Sequence, residues 1–169
     1  TTISRNTRFM SKNPKTAILE LAESLGEPMD LEIRTIESKD GLPVQIAYLR
    51  GLADPAPVIN ILTQNTLGSM TEKSFTAAGK VLDSGEAISP HFHLYRGATI
   101  VYLPKREPFA VLTGSMAKRT PEDPVNEQAI RGPRDGFVED IFDNLSLIRR
   151  RLPDPHLQAD EIIIGRRTR

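Results

Sequence analysis

The stretch that decides the fold is "MDLEIRTIESKDGLPVQIAYLRG", residues 29–51. Apolar and charged residues alternate in its first half, which is the period of a strand with one buried face. The letters Lys-Asp-Gly at 39–41 predict a turn, and the apolar residues after them predict a second strand. The stretch therefore predicts a β-hairpin in the first third of the chain.

A helix is predicted on each side of this hairpin. Asn13 suits an N-cap and Pro14 suits the first helical position, after which apolar residues recur at helical spacing up to Gly26. The Asp-Pro pair at 54–55 starts a second amphipathic stretch in the same way. The first 66 residues are therefore predicted to run helix, strand, strand, helix.

The next part of the chain predicts a second hairpin. Residues 66–74, "TLGSMTEKS", are predicted to be a linker, and 75–82 a weak helix or strand. The Ser-Pro pair at 89–90 predicts a short helix that ends at Gly97. Residues 98–114, "ATIVYLPKREPFAVLTG", then contain two apolar runs joined by a turn.

The domain organisation follows from these elements. Residues 1–12 are predicted to be a polar arm and 13–113 a first αβ subdomain. The polar, proline-bearing residues 114–130 are predicted to be a linker. Residues 131–169 are predicted to hold a long helix and the first strand of a second αβ subdomain. The expected fold is mixed α/β, with two small subdomains whose short mixed sheets are flanked by helices.

One helix dominates the last segment. It is predicted from about Asp135 to Leu152, with Pro133 near its start and Pro153 forcing its end. Apolar residues recur on it at steps of three or four and are predicted to face a core. They are Phe137, Ile141, Leu145, Ile148 and Leu152. After it, "LQADEIIIGRR" predicts a strand at 157–167, and the chain, which lacks a starting Met, is expected to be a piece of a longer one.

Composition excludes several classes of protein. Lys and Arg total 22, as do Asp and Glu, so no net charge attracts the whole molecule to nucleic acid. Aromatic residues are 5% with no Trp, which disfavours base stacking. The chain has no cysteine, so disulfides and thiolate metal sites are excluded. No apolar run approaches the roughly 18–20 residues of a membrane helix.

The candidate motifs for catalysis and metal binding lack residues that such sites require. His91 and His93 would diverge on a helical turn and lack further ligands, so we expect two exposed histidines on a short surface helix. Residues 77–81, "AAGKV", lack the glycine and hydroxyl of a phosphate loop. We therefore expect no metal, no cofactor and no enzymatic activity.

The arginines form the unusual feature of the C-terminal third. Every cation after Lys118 is arginine, a side chain suited to bidentate bonding. The set is Arg119, Arg131, Arg134, Arg149, Arg150, Arg151, Arg166, Arg167 and Arg169. A solvated helix end that matches the helix dipole explains any one of them, whereas an interface or an anion-facing patch competes for the whole set.

Residues 130–169 carry a resemblance to a known family. The stretch "IRGPRDGFVEDIFDNLSLIRRRLPDPHLQADEIIIGRRTR" resembles the signature of the GerA family of spore germination proteins. Asp135 stands where the family has Glu. Upstream, residues 47–65 and 94–112 resemble the family more loosely, with Arg50 and Ala98 in place of Asp. The site residues that the signature implies are Arg131, Gly132, Pro133, Arg134, Gly136, Phe137, Asn144, Arg149, Arg150, Arg151, Gly165, Arg166 and Arg167.

The resemblance implies a function. The family comprises A subunits of spore germinant receptors and SpoVAF-type sporulation relatives. Such a subunit has an N-terminal soluble region on the cytoplasmic (core) face of the spore inner membrane, followed by a membrane domain. With B and C subunits it forms a receptor whose response to nutrients releases ions, and the A subunit is thought to oligomerise into a channel. This chain would be that N-terminal region.

Three hypotheses follow for the domain. The first is a noncatalytic role in receptor assembly and signal coupling, in which Arg131 and Arg134 fix the helix and Arg149–Arg151 face a partner or anionic lipid headgroups. The second is a sensor that binds a nutrient or an anion in a cleft between subdomains, beside Arg131 and Arg134. The third, nucleic-acid binding through the arginines, is disfavoured by the few aromatic residues.

Overall fold

The computed structural model describes residues 14–82, 90–114, 136–154 and 156–162. Its strands in these ranges form one sheet, and helices cover both faces. The strands are β1 Leu31–Glu37, β2 Pro43–Leu49, β3 Lys80–Leu82, β4 Ala98–Tyr102 and β5 Phe109–Leu112. The helices are α1 Pro14–Ser24, α2 Ala56–Gln64, α3 Pro90–Tyr95 and α4 Ile141–Arg151. The predicted mixed α/β class is confirmed.

The first predicted hairpin is present. β1 pairs antiparallel with β2 from Leu31 opposite Leu49 to Glu37 opposite Pro43. The turn between them is closed by side-chain hydrogen bonds, since the Ser38 hydroxyl lies 2.6 Å from an Asp40 oxygen. That contact holds the pKa of Asp40 below its usual range.

The second hairpin is present too and lies beside the first. β4 pairs antiparallel with β5, and β2 pairs antiparallel with β4, so the sheet order is β1-β2-β4-β5-β3. All strand pairs within the described ranges are antiparallel. Among the described strands, β1 and β3 are therefore the two edges of the sheet.

Each face of the sheet carries its own apolar cluster. α1 and α3 cover one face, and α2 with the turns at 66–75 covers the other. The first cluster includes Ile18, Leu21, Leu25, Leu94 and Tyr95. The second cluster includes Val58, Leu62, Met70 and Phe75. This sheet with its two clusters is called the body below.

The linker predicted at 66–74 is wrong. Two 3₁₀ turns, Leu67–Ser69 and Glu72–Phe75, occupy this region. Met70 and Phe75 are fully buried, and the Phe75 ring lies 5.1 Å from that of Phe109. The buried Met70 within the predicted linker, and Phe75 directly after it, make this region part of the body.

Several predicted boundaries fall outside the described ranges. The polar arm at 1–12 lies there entirely, and so does the predicted linker except for Gly114. Residues 157–162 of the predicted last strand are not in a strand, and its other residues are among those not described. None of the described helices is both long and apolar enough to cross a membrane.

Candidate functional site

The helix of the signature stretch starts later than predicted. α4 begins at Ile141, because the Asp140 side chain caps it by accepting hydrogen bonds from the backbone N–H of Phe142 (2.7 Å) and of Asp143 (3.1 Å). Residues 136–139 precede it without helical structure, so the predicted start near Asp135 is wrong. Its end at Arg151 agrees with the stop predicted from Pro153.

Asn144 holds the segment before the helix. Its side-chain oxygen accepts from the Val138 backbone N–H at 2.7 Å, and its side-chain nitrogen donates to the Val138 carbonyl at 2.6 Å. One amide thus satisfies both backbone groups of a residue six positions earlier. The predicted site residue Asn144 therefore fixes the shape of the loop that leads into α4, here called the entry loop (residues 136–140).

The buried face of α4 agrees only in part with the predicted one. Phe137 is 72% exposed, Ile141 57% and Leu152 58%, so the prediction that these three seat the helix on a core is wrong. Leu145 is buried and Ile148 half-buried. The buried side chains of α4 are Leu145, Ser146 and Arg149, and the half-buried Phe142 lies against Arg50. Two of these four are polar, so counting apolar residues selected a partly different face.

Arg149 is the centre of this contact. It is 0% exposed, and it pairs with Asp30, which lies just before β1 and is 1% exposed. The pairing is bidentate, since Nε lies 2.5 Å from one carboxylate oxygen and Nη2 lies 2.7 Å from the other. Nη1 donates to the Leu157 carbonyl at 2.9 Å, and the guanidinium carbon lies 5.1 Å from the centre of the Tyr95 ring. Burial raises the pKa of Tyr95, and the charge of Arg149 opposes that rise.

The expectation that Arg149 faces a partner or a lipid surface is therefore wrong. Its side chain is enclosed, and it joins α4 to Asp30 just before β1 and to Tyr95 on α3. Arg150 and Arg151 are exposed. The run of three arginines thus has one member inside and two on the outer side of the helix.

A glycine lets the helix approach the body closely. A Cβ on Gly51 would lie 2.7 Å from the Phe142 carbonyl oxygen and 3.3 Å from the Ser146 Cβ, and the residue has a φ of +76°. Beside it, the Arg50 guanidinium lies 4.3 Å from the centre of the Phe142 ring. Arg50 and Gly51, just after β2, therefore contact the first turns of α4.

Glu32 forms ion pairs with two arginines near this contact. It accepts from Arg34 Nη2 at 2.5 Å and from Arg50 Nη2 at 3.1 Å. Burial acts to raise the pKa of Glu32, but the hydrogen bonds from the two arginines outweigh it and leave that pKa lowered. The carboxylate thereby keeps Arg50 over the Phe142 ring.

The chain returns to the body after α4. The backbone N–H of Met29 donates to the Ala159 carbonyl at 3.0 Å, next to Asp30. Together with the bond from Arg149 to Leu157, this places residues 157–159 beside the start of β1. α4 is consequently fixed at its first turn, at its last turn and just beyond it.

The other predicted site residues are only partly placed. Gly136 and Phe137 lie in the exposed entry loop. Seven more are outside the described residues: Arg131, Gly132, Pro133, Arg134, Gly165, Arg166 and Arg167. Their role, like that of Arg150 and Arg151, stays a prediction.

Sequence reasoning missed Asp30 and Gly51. Asp30 carries no local signal, since nothing near it in the chain distinguishes it from other carboxylates. Gly51 follows a strand and looks like an ordinary turn residue. The spacing of polar residues on α4 does not single out Ser146 and Arg149 either, because the exposed Asp143 and Arg150 lie at the same helical spacing from Ser146.

The histidine pair is also partly corrected. His93 is buried, so the expectation that it is exposed is wrong, and the side chain of His91 is not described. In the ranges that the structure describes, no three His, Cys, Asp or Glu side chains are grouped closely enough to hold a metal ion.

Comparison with known proteins supplies the family. A family model described as Bacillus/Clostridium GerA spore germination protein matches residues 19–169. Spore germination protein GerLA of Bacillus cereus is 30% identical over 162 residues, covering 88% of this chain and 33% of that protein. Stage V sporulation protein AF of Bacillus subtilis (strain 168) is 27% identical over 168 residues, covering 86% and 31%. The chain thus spans about a third of the length of these relatives.

A solved structure supplies the fold. The chain is similar to the crystal structure of the N-terminal domain of the A subunit of the Bacillus megaterium spore germinant receptor GerK3, with a TM-score of 0.64 and 19% identity. The match covers 99% of this chain and 64% of that one. The sequence resemblance is confirmed by the family model, which leaves only the first 18 residues unmatched. The chain belongs to the GerA family of spore germination proteins.

Proposed function

We propose that this chain is the N-terminal domain of a spore germinant receptor A subunit. It acts without catalysis, in receptor assembly and in coupling nutrient sensing to ion release. Membership in the GerA family supports a role in spore germination. The likeness of its fold to the N-terminal domain of a receptor A subunit supports the assignment to that region.

The observation that carries the proposal is the anchoring of α4. Arg149 ties the helix to the body through a buried bidentate pair, while its neighbour Arg150 stays on the outer side. Directional, buried contacts of this kind fix one geometry. A helix that is fixed on one side and presents cations on the other passes a displacement of the body to whatever its outer side contacts.

The partners and place follow from the same proposal. The domain contacts the receptor B and C subunits, other A subunits and the membrane domain of its own chain. It lies on the cytoplasmic (core) face of the spore inner membrane, where Arg150 and Arg151 lie near anionic lipid headgroups. Nucleic acid is not a partner, in keeping with the neutral net charge.

The test uses the whole receptor in spores. In the double variant Arg131→Ala/Arg150→Ala we expect a folded domain and abolished or delayed nutrient-triggered germination. The fold is expected to persist because Arg150 is exposed and exposed charges add little stability. Receptor level by immunoblot and ion release after nutrient addition are the two measurements.

A matched control removes two exposed cations of the body, Lys39→Ala/Lys73→Ala. It makes the same change of charge away from α4 and should germinate normally. Normal germination of the first variant at wild-type receptor level would reject the proposed role. Loss of the folded domain would show that these arginines are structural.

The sensor hypothesis stays a prediction. It depends on Arg131 and Arg134, which lie outside the described residues. No contact in the part of the chain that the structure describes favours it over assembly. Titration calorimetry with nutrients and small anions measures it directly.

A further inference from the structure

Two residues of the body enclose the guanidinium of Arg149, and contacts within the body hold both of them. Asp30 lies just before β1, and its backbone carbonyl accepts from the Arg50 N–H at 2.8 Å. Tyr95 is the last residue of α3 and belongs to the apolar cluster on that face of the sheet. The carboxylate and the ring are therefore placed by the fold of the body and not by α4.

The carboxylate and the ring fit a guanidinium group in shape and in charge. The two oxygens of Asp30 receive Nε and Nη2 of Arg149 at 2.5 Å and 2.7 Å, and the guanidinium carbon lies over the Tyr95 ring, 5.1 Å from its centre. A planar fork of donors suits such a carboxylate, and a flat cation suits an aromatic face. An ammonium group is compact and offers no fork, so the site distinguishes the two kinds of cation.

α4 is attached to the body by little else that is buried. Its buried side chains are Leu145, Ser146 and Arg149, while Ile141 on the same helix is 57% exposed. A single leucine contributes little apolar burial, which is the interaction that attaches most helices to a domain. A ligand that takes the place of Arg149 therefore removes the main buried contact of the helix.

We propose that Asp30 and Tyr95 form a guanidinium-binding site on the body, which Arg149 fills from within the chain and which a guanidinium of another molecule fills when α4 leaves. The group that the site recognises is the same whether it belongs to a small diffusible compound or to an arginine of a partner protein. Because Arg149 and the ligand compete for one place, binding of the ligand releases α4 from the body. The inference goes beyond the proposed function, and its tests use the purified chain, so their outcome does not depend on germination.

Chemical rescue tests the site. Arg149→Ala removes a fragment of the size of ethylguanidinium and leaves Asp30 without its partner. About 10 mM ethylguanidinium should raise the melting temperature of this variant by a few degrees, because a ligand that binds only the folded chain stabilises it. n-Propylammonium, which has the charge without the fork, should give less than half of that shift. If the variant is unfolded alone, recovery of its folded circular dichroism spectrum is the readout.

Two matched controls complete the rescue experiment. Arg150→Ala removes an exposed arginine from the same turn of α4 and should show no shift, since no enclosed space is emptied. Asp30→Asn combined with Arg149→Ala removes the carboxylate and should abolish the shift. Equal shifts with both cations, a shift in the Arg150→Ala chain, or no shift at all would overturn the proposal.

Hydrogen exchange of the wild-type chain tests the competition. The concentration that gives half of the rescue measures the dissociation constant of the emptied site. Ethylguanidinium at ten times that concentration should quicken exchange of the α4 amides about tenfold, because it binds the chain from which α4 has left. Exchange in the strands should stay unchanged. Unaltered exchange in α4, or equal quickening in the strands, would contradict release by a ligand.

The same measurement distinguishes the two sources of the guanidinium group. The peptide acetyl-Ala-Arg-Ala-amide carries the group on a peptide backbone, as a partner protein would. Quickening by this peptide supports an arginine of a partner as the ligand, whereas quickening by ethylguanidinium alone supports a small compound. The same peptide with Lys in place of Arg is the control and should have no effect. A lysine peptide as effective as the arginine peptide would overturn the recognition of guanidinium.

Discussion

Different interactions stabilise the body and the attachment of α4 to it. The body buries two apolar clusters on the faces of a five-stranded sheet, whereas α4 attaches mainly through Arg149, Ser146 and a single buried leucine. Apolar burial is nondirectional and shared among many side chains. A bidentate ion pair depends on the position of a few atoms. The body is therefore tolerant of small changes, and the position of α4 is sensitive to them.

The difference bears on function. A docking held by directional contacts gives the helix one defined orientation relative to the sheet. It also gives a small number of places at which that orientation is lost while the sheet remains folded. Single substitutions at these places should change the position of α4 and leave the body folded.

The largest effect is expected from Arg149→Leu. It leaves the Asp30 carboxylate buried without its partner, which costs about 3–5 kcal/mol. Urea unfolding measures the change in the free energy of unfolding. Replacing both residues with leucine should recover most of the loss, because no buried charge remains. A loss below about 1 kcal/mol in the single variant would show that water replaces the arginine.

A smaller effect is expected from Gly51→Ala. The new Cβ would meet the Phe142 carbonyl, and the φ of +76° is strained for alanine, so we expect a cost of about 2–3 kcal/mol. Hydrogen exchange should quicken in α4 more than in the strands. Gly41→Ala is the matched control, since its φ is +73° and nothing lies within 4 Å of the new Cβ. Equal destabilisation by the two variants would mean that backbone strain alone matters.

Asn144→Ala should cost less, about 1 kcal/mol, because the freed groups of Val138 reach water. The Val138 amide should lose its protection from exchange, while the body keeps its own. Asn144→Asp keeps the acceptor for the Val138 N–H and loses the donor, so it should fall between alanine and wild type. An alanine variant with unchanged exchange at Val138 would contradict the role assigned to this amide.

The smallest effect concerns pH. The pKa of Glu32 is lowered in the folded chain, so its contribution to stability is present above the unfolded pKa of about 4.3 and is lost as pH falls through the folded value. For a partly exposed pair the contribution is below about 1 kcal/mol. Unfolding measured between pH 6 and pH 3 should show less pH dependence in Glu32→Gln than in wild type. Identical profiles would mean that other carboxylates account for the whole loss.

The sequence predicted those parts of the fold that have local causes. The two hairpins and the first three helices depend on turn residues, caps and short-range periodicity, so they could be read from neighbouring letters. The order of the strands depends on pairing between distant segments, and no local pattern encodes the adjacency of β2 and β4. The turns at 66–75 were misread because two buried side chains were hidden among polar ones.

The candidate site was predicted only in outline. The signature stretch directed attention to Arg149 and Asn144. The partner of Asn144, Val138, lies within the stretch, but the position of Arg149 is set by Asp30 and Tyr95, which the stretch does not contain. Arg149 meets Asp30, and the face of α4 follows that pair and not the apolar residues at 137, 141 and 152. The ion pair between Asp30 and Arg149, which are distant in the sequence, thus determines which face of α4 is buried, and the spacing of its apolar residues does not.

The separation of Asp30 and Arg149 along the chain also orders events during synthesis. The two residues are 119 positions apart. At roughly 5–20 residues per second, Asp30 is added to the chain about 6–24 s before Arg149. Of the strands in the described ranges, β5 is the last in the chain and ends at Leu112, so all of them are synthesised within that interval. Synthesis of the described strands is therefore complete before the arginine that pairs with Asp30 and packs beside Tyr95 is added.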